Sequence, residues 1–187
     1  INADHPTTHM NFGNLYLNAG DFEKAEASYK EAIELEPGLV GPYINLADLY
    51  RRLNRDADGE LVLKSALEKY PDLAAIHYSL GLLQVRQGNH QEAMAYLENA
   101  TIHDPDDPHY SYVYAIGLNS QQKPQEALKV LKEAVEEHPY DRNILYALTT
   151  ISMENGLQQE ALSYAEKLVE YYPEDPTYQQ VLGVLSN

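Results

Sequence analysis

Cysteine is absent from all 187 residues, which excludes disulfides, thiolate zinc sites and covalently attached haem c within this segment. Positive charge is scarce: 13 lysines and arginines stand against 29 aspartates and glutamates, for a formal net charge of −16 and an isoelectric point near 4.6. Phosphate backbones demand a basic footprint, so the balance argues against nucleic acid as a partner and equally against anionic membrane surfaces. No apolar run approaches the length of a membrane span, so no membrane insertion is expected, and no charged-then-apolar leader opens the chain. HExxH, a phosphate-binding glycine loop and a nucleophile elbow are all missing. The expectation is a protein that is no enzyme and takes no metal or cofactor. The first residue is Ile1 rather than methionine, which reads as an excised or processed piece of a longer protein.

What is present is a ruler. Pro37, Pro71, Pro105, Pro139 and Pro173 each follow the last at an interval of 34 residues, and a fixed period of this size is the signature of a repeat array. Other positions fall into columns on the same ruler. Twelve residues before each proline stand Ala25, Gly59, Ala93, Ala127 and Ala161; five before stand Ala32, Ala66, Ala100, Ala134 and Leu168. Twenty-four before stand Gly13, Ala47, Gly81, Ala115 and Thr149, preceded by Phe12, Leu46, Leu80, Tyr114 and Leu148. Small residues let two helix backbones approach closely, and the large column fills the space between neighbours.

Each period reads as two helices. In the first, Thr7 or Thr8 caps a helix with apolar residues at helical spacing, Gly20 makes the turn, and Asp21 caps the second helix. Asn54, Gly88 and Gly156 take the place of Gly20, with Gln122 the exception. Pro108, Pro124 and Pro176 open helices, where proline is tolerated. The pattern predicts helices over 7–19, 22–36, 41–53, 56–70, 74–87, 90–103, 108–121, 124–138, 141–155, 158–172 and 176–185. Links this short make consecutive helices antiparallel. The expected fold is all-α, a solenoid of helix pairs in one domain, with units 6–39, 40–73, 74–107, 108–141 and 142–175 and a capping helix 176–185. In the fifth unit Thr149 and Ser152 replace the usual small and aromatic residues, and Ala165 and Leu168 invert the large-then-small order at conserved volume.

A 34-residue helix–turn–helix with the pairs Phe12-Gly13 and Leu80-Gly81, Tyr16, Tyr50, the alanine columns and the closing prolines resembles the tetratricopeptide repeat family over essentially the whole chain. The resemblance implies a right-handed superhelix whose first helices line a concave groove that binds peptides or proteins. It does not extend to the members that clamp a C-terminal carboxylate. Asn14 and Asn45 match two clamp asparagines, but Met10, Ala75 and Ser79 stand where the clamp needs cations. A weaker resemblance, carried by the 45–60, 77–89 and 110–128 stretches, is to the repeat segment of bacterial multihaem cytochrome-like proteins. It implies an exported, periplasmic parent.

Groove candidates follow from the register. One column of the first helices reads Met10, Ile44, Tyr78, Tyr112, Tyr146. Helices pack about 8–10 Å apart and an extended peptide rises about 3.3 Å per residue, so every third ligand side chain meets a rung. The same tyrosines equally suit packing between helices. Arg51, Arg52 and Arg86 are the basic cluster of these helices, either holding a ligand carboxylate or pairing with Asp48, Asp56 or Asp58. Asn14, Asn18 and Asn45 offer paired donors and acceptors to a peptide backbone. His5 precedes Pro6, outside the first helix, so it forms no site with His9. The stretch from Asp104 to Pro108, flanked by His103 and His109, reads as a turn rather than a calcium loop. Glu26 and Lys30 read as a solvated helix face. The partner is expected to be a protein or peptide. Two alternatives are self-association through the uncapped first repeat, and docking of a basic redox partner on the acidic face.

Overall fold

The computed structural model describes residues 5–186. Among them are eleven helices and no strand: α1 (Pro6–Ala19), α2 (Phe22–Leu35), α3 (Val40–Arg52), α4 (Asp56–Lys69), α5 (Ala74–Gln87), α6 (His90–His103), α7 (Pro108–Ser120), α8 (Pro124–Glu137), α9 (Arg142–Glu154), α10 (Gln158–Tyr171) and α11 (Pro176–Leu185). Every boundary lies within one residue of the one read from the sequence. The helices pair in order, α1 on α2, α3 on α4, α5 on α6, α7 on α8 and α9 on α10. None of the described helices is long and apolar enough to cross a membrane.

The ends show where residue type decides. Asp21 caps α2 as expected, its carboxylate accepting from the Lys24 amide at 3.3 Å. The cap of α1 is His5 rather than Thr7 or Thr8: its ring nitrogen accepts from the Thr7 amide, and Pro6 takes the first helical position, where a missing N–H costs nothing. The turn inside each pair needs one residue in the left-handed region. Gly20, Gly88 and Gly156 supply it, but so do Asn54 at φ 57° and Gln122 at φ 62°. Gln122 breaks the sequence rule and keeps the conformation.

The small columns are buried throughout, Ala47 alone being half-exposed. A methyl group added at Gly13 would run into the ring of Tyr29, and one at Gly81 would lie 2.8 Å from the Leu97 side chain. In the first unit two large-column residues pack on the pair before them: Leu46 clusters with Ala25 and Tyr29 of α2, and Leu80 with Leu63 and Ala66 of α4. Phe12 departs from the expectation. It is 44% exposed, because among the described residues no pair precedes α1 to receive it.

By its internal contacts the chain falls into two compact units divided between His103 and Asp104. In the second, the drifted positions of the fifth repeat stay inside the core: Leu168 and Ala165 are buried, and the buried Thr149 donates its hydroxyl to the Leu145 carbonyl at 2.8 Å. Helix α11 closes on α10, burying Tyr178 beside Leu145 and Leu168 and Leu185 beside Ala161 and Ala165.

Candidate functional site

In the first unit the residues singled out on the first helices do meet. Asn14 of α1 and Asn45 of α3 are bonded to each other, Asn45 Nδ2 donating to Asn14 Oδ1 at 3.1 Å. The same Oδ1 accepts from the buried Tyr29 hydroxyl at 2.7 Å. Burial raises the Tyr29 phenol above its usual range, and the nearby Arg52 only partly offsets this. Asn14 Nδ2 and Asn45 Oδ1 take no part in these bonds among the described residues and stand at half-exposed positions. Ile44, Ala47 and Asp48 of α3 face Tyr78, Ser79, Leu82, Leu83 and Arg86 of α5 across a cleft of about 180 Å3 floored by Leu63. Its wall is apolar, and its rim carries one carboxylate and one guanidinium.

The arginines divide. Arg51 pairs with Asp48 at 3.1 Å, and Arg86 approaches Asp56 at 3.6 Å, too long for a hydrogen bond. Arg52 is exposed and has no carboxylate partner among the described residues. Met10 lies partly buried against the cluster around Leu46, and Asn18 is exposed at the end of α1. In the second unit Tyr112 is half-buried, its ring 6.4 Å from that of His109. Tyr146 is 36% exposed, its ring 5.9 Å from that of Tyr178. Both reach the surface of their unit, and both also pack.

Two groups were not visible in the sequence as sites. Glu26, read there as part of a solvated face, gathers Lys30 at 2.7 Å, the Tyr50 hydroxyl at 2.8 Å and Arg55 at 3.1 Å, while Arg55 lies 4.4 Å from the Tyr50 ring centroid. Burial opposes the charge on Glu26, yet hydrogen bonds from Lys30 and Tyr50 outweigh it and hold the carboxyl below its usual range. His77 donates Nε2–H to the Pro71 carbonyl at 2.7 Å, leaves Nδ1 buried without a partner, and stacks on His103 at 5.1 Å. The signal for it lay in the register: Tyr43, 34 residues earlier, donates to the Pro37 carbonyl at 2.9 Å. Among the described residues no cluster of His, Cys, Asp and Glu is arranged to hold a metal.

Models of the tetratricopeptide repeat match residues 6–39, 44–108, 78–142 and 118–185. The chain belongs to the tetratricopeptide repeat family. Solved structures of the same fold include YrrB, "a TPR protein with an unusual peptide-binding site", at 20% identity over 96% of this chain and 92% of that one, with a TM-score of 0.67. MamA aligns at 21% identity over 92% of this chain and 94% of its own, with a TM-score of 0.70. Yeast Tom70 covers 100% of this tetratricopeptide repeat protein with 40% of its length, at 17% identity and a TM-score of 0.81. No curated protein sequence matches the chain. The resemblance to multihaem cytochrome-like proteins finds no support in these matches.

Proposed function

We propose that this tetratricopeptide repeat protein is a non-enzymatic interaction scaffold whose first-helix faces bind an extended peptide or a partner's surface. The observation that carries the reading is the cleft between α3 and α5. Ile44 and Tyr78, from one column of the register, and Arg86, from the basic cluster of the first helices, line one opening of about 180 Å3. A large apolar side chain of the ligand enters beside Tyr78, where burial against an aromatic wall supplies affinity. Asp48 and Arg86 at the rim fix its direction. Arg52 holds a ligand carboxylate, and Asn14 Nδ2 with Asn45 Oδ1 presents one donor and one acceptor to the peptide backbone. Tyr112 and Tyr146 offer the second unit's contacts. The peptide-binding site named for YrrB supports the same class of ligand.

Selection of binding peptides from a random display library, followed by titration of the best sequence, tests this. Alanine at Tyr78, Tyr112 and Tyr146 together is expected to weaken binding by about tenfold or more; unchanged affinity ends the reading. A second reading rests on Phe12, Leu15 and Phe22, which α1 and α2 leave exposed. Such a face stacks on another copy. Light scattering over a range of concentrations separates the two, since a strict monomer excludes self-association.

A further inference from the structure

Away from the first-helix faces, the turn between α8 and α9 carries a second surface. Tyr140 stands out from it, 64% exposed, and with Pro108, Glu137, His138, Pro139 and Asp141 it lines an open groove of about 330 Å3. The ring of Tyr140 meets that of Tyr171 edge to face, centroids 4.8 Å apart. Its backbone carbonyl accepts from the Tyr172 hydroxyl. The tyrosine is therefore fixed to α10 at two points while its ring remains open to solvent.

The charge around it has one sign. Glu137 is exposed and makes no ion pair among the described residues. Asp141 caps α9, Oδ1 accepting from the Asn143 and Ile144 amides at 2.9 Å each, which leaves Oδ2 to accept from elsewhere. The turn leading into Pro108 adds Asp104, Asp106 and Asp107. Among the lysines and arginines Arg142 is the nearest in sequence and does not line the groove, whose one basic-type lining residue is the half-buried His138. An aromatic ring flanked by carboxylates is the chemistry that selects a cation. Between the two cationic side chains arginine fits better: its planar head stacks on a ring, donates as a fork to carboxylates and gives up water more easily than an ammonium. A second copy of this chain, itself at −16, is repelled by the same charges.

We propose that this groove docks an arginine side chain from a basic segment of a partner protein. The guanidinium lies on the Tyr140 ring and donates to Glu137 and to Oδ2 of Asp141. The Asp-Pro-Asp-Asp-Pro turn, which the first-helix reading leaves without a role, supplies the long-range attraction that steers the segment in.

The test uses a fluorescein-labelled octapeptide of alternating glycine and arginine, followed by anisotropy at about 150 mM salt. So acidic a chain attracts any cation, so position must be separated from net charge. Glu137→Gln with Asp141→Asn removes two carboxylates and keeps the α9 cap; Glu31→Gln with Glu34→Gln removes two from the exposed face of α2. The first pair and, separately, Tyr140→Ala are expected to weaken binding about tenfold, while the α2 pair and Tyr140→Phe stay within about twofold. The lysine counterpart of the peptide is expected to bind about threefold more weakly or worse. Equal losses from the two carboxylate pairs, an inert Tyr140→Ala, or no binding at all overturns the proposal. So does a concentration-dependent rise in molar mass that Tyr140→Ala abolishes, which would assign the groove to a second copy.

Discussion

His77 shows how one residue inherits a structural task from its column and adds a property of its own. Tyr43 and His77 stand at the same point of successive repeats, and each donates to the proline carbonyl six residues before it. A phenol does this without titrating near neutrality; an imidazole does not. Burial lowers the His77 pKa from its usual value, the bond to Pro71 works the other way, and His103 and Asp72 oppose each other with smaller effects. Tyr96 packs on the same ring at 6.0 Å and carries no charge near neutrality. With the folded-state value lowered, the unfolded chain takes up the proton first as pH falls. The stability His77 contributes is thus complete above its unfolded pKa, about 6.5, and is lost as pH falls from there towards the folded value. Melting temperature is expected to drop between about pH 7 and pH 5, and His77→Tyr, which restores the column's hydroxyl, is expected to flatten that part of the profile. Parallel profiles for the two proteins would show that His77 is not the group concerned. Asn14 and Asn45 make a related point about legibility. Their place on one wall followed from the register, but that they bond to each other and to Tyr29 depends on side-chain reach across two helices, which spacing does not encode.

The helix pair is the element at which the sequence speaks most plainly. Proline, glycine and capping aspartate act on the backbone within a few residues, so each helix end could be placed to within one residue. Where the end depends on competition between neighbours residue type alone does not decide it, as at α1, where His5 caps in place of Thr7 because Pro6 opens the helix. Small columns are legible in kind but not in degree. Gly13 and Gly59 both look like sites of close approach, yet only at Gly13 would a methyl meet the fully buried Tyr29 ring; at Gly59 the nearest atoms are the Ala47 carbonyl and Cα at 3.4 and 3.5 Å. Gly13→Ala is expected to destabilise by about 1–3 kcal/mol through overpacking. Gly59→Ala, which installs the residue found at Ala25, Ala93, Ala127 and Ala161, is expected to stabilise by about 0.5–1 kcal/mol through helix propensity. Urea titrations read both, and a shared sign would refute the distinction. Leu80→Ala, at a fully buried position between α5 and α4, is expected to cost about 2–5 kcal/mol in the same assay.

At the scale of the whole molecule, two properties of composition outlast any one contact. The first is charge. Lys64 bridges Glu60 and Glu92, and Lys132 meets Glu160, but 13 basic residues cannot neutralise 29 acidic ones. The excess repels itself across the folded chain, an effect that salt screens. Raising ionic strength from about 10 mM to about 150 mM, which shortens the screening length from about 30 Å to about 8 Å, is expected to raise the melting temperature; a fall would mean that attractive pairs outweigh the net repulsion. The charge was legible from composition, whereas the groove around Tyr140 was not, since it needs Pro108 brought from another helix beside Glu137 and Asp141. The second property is optical. The chain holds 16 tyrosines and no tryptophan, so its native emission is phenolic, and the exposed ring of Tyr140 marks the one place on that acidic groove where an indole would replace a phenol with least disturbance. Tyr140→Trp would give the groove its own fluorophore, a single indole that emits to the red of the phenols, and an arriving guanidinium would be seen as a change in colour and intensity of that one residue.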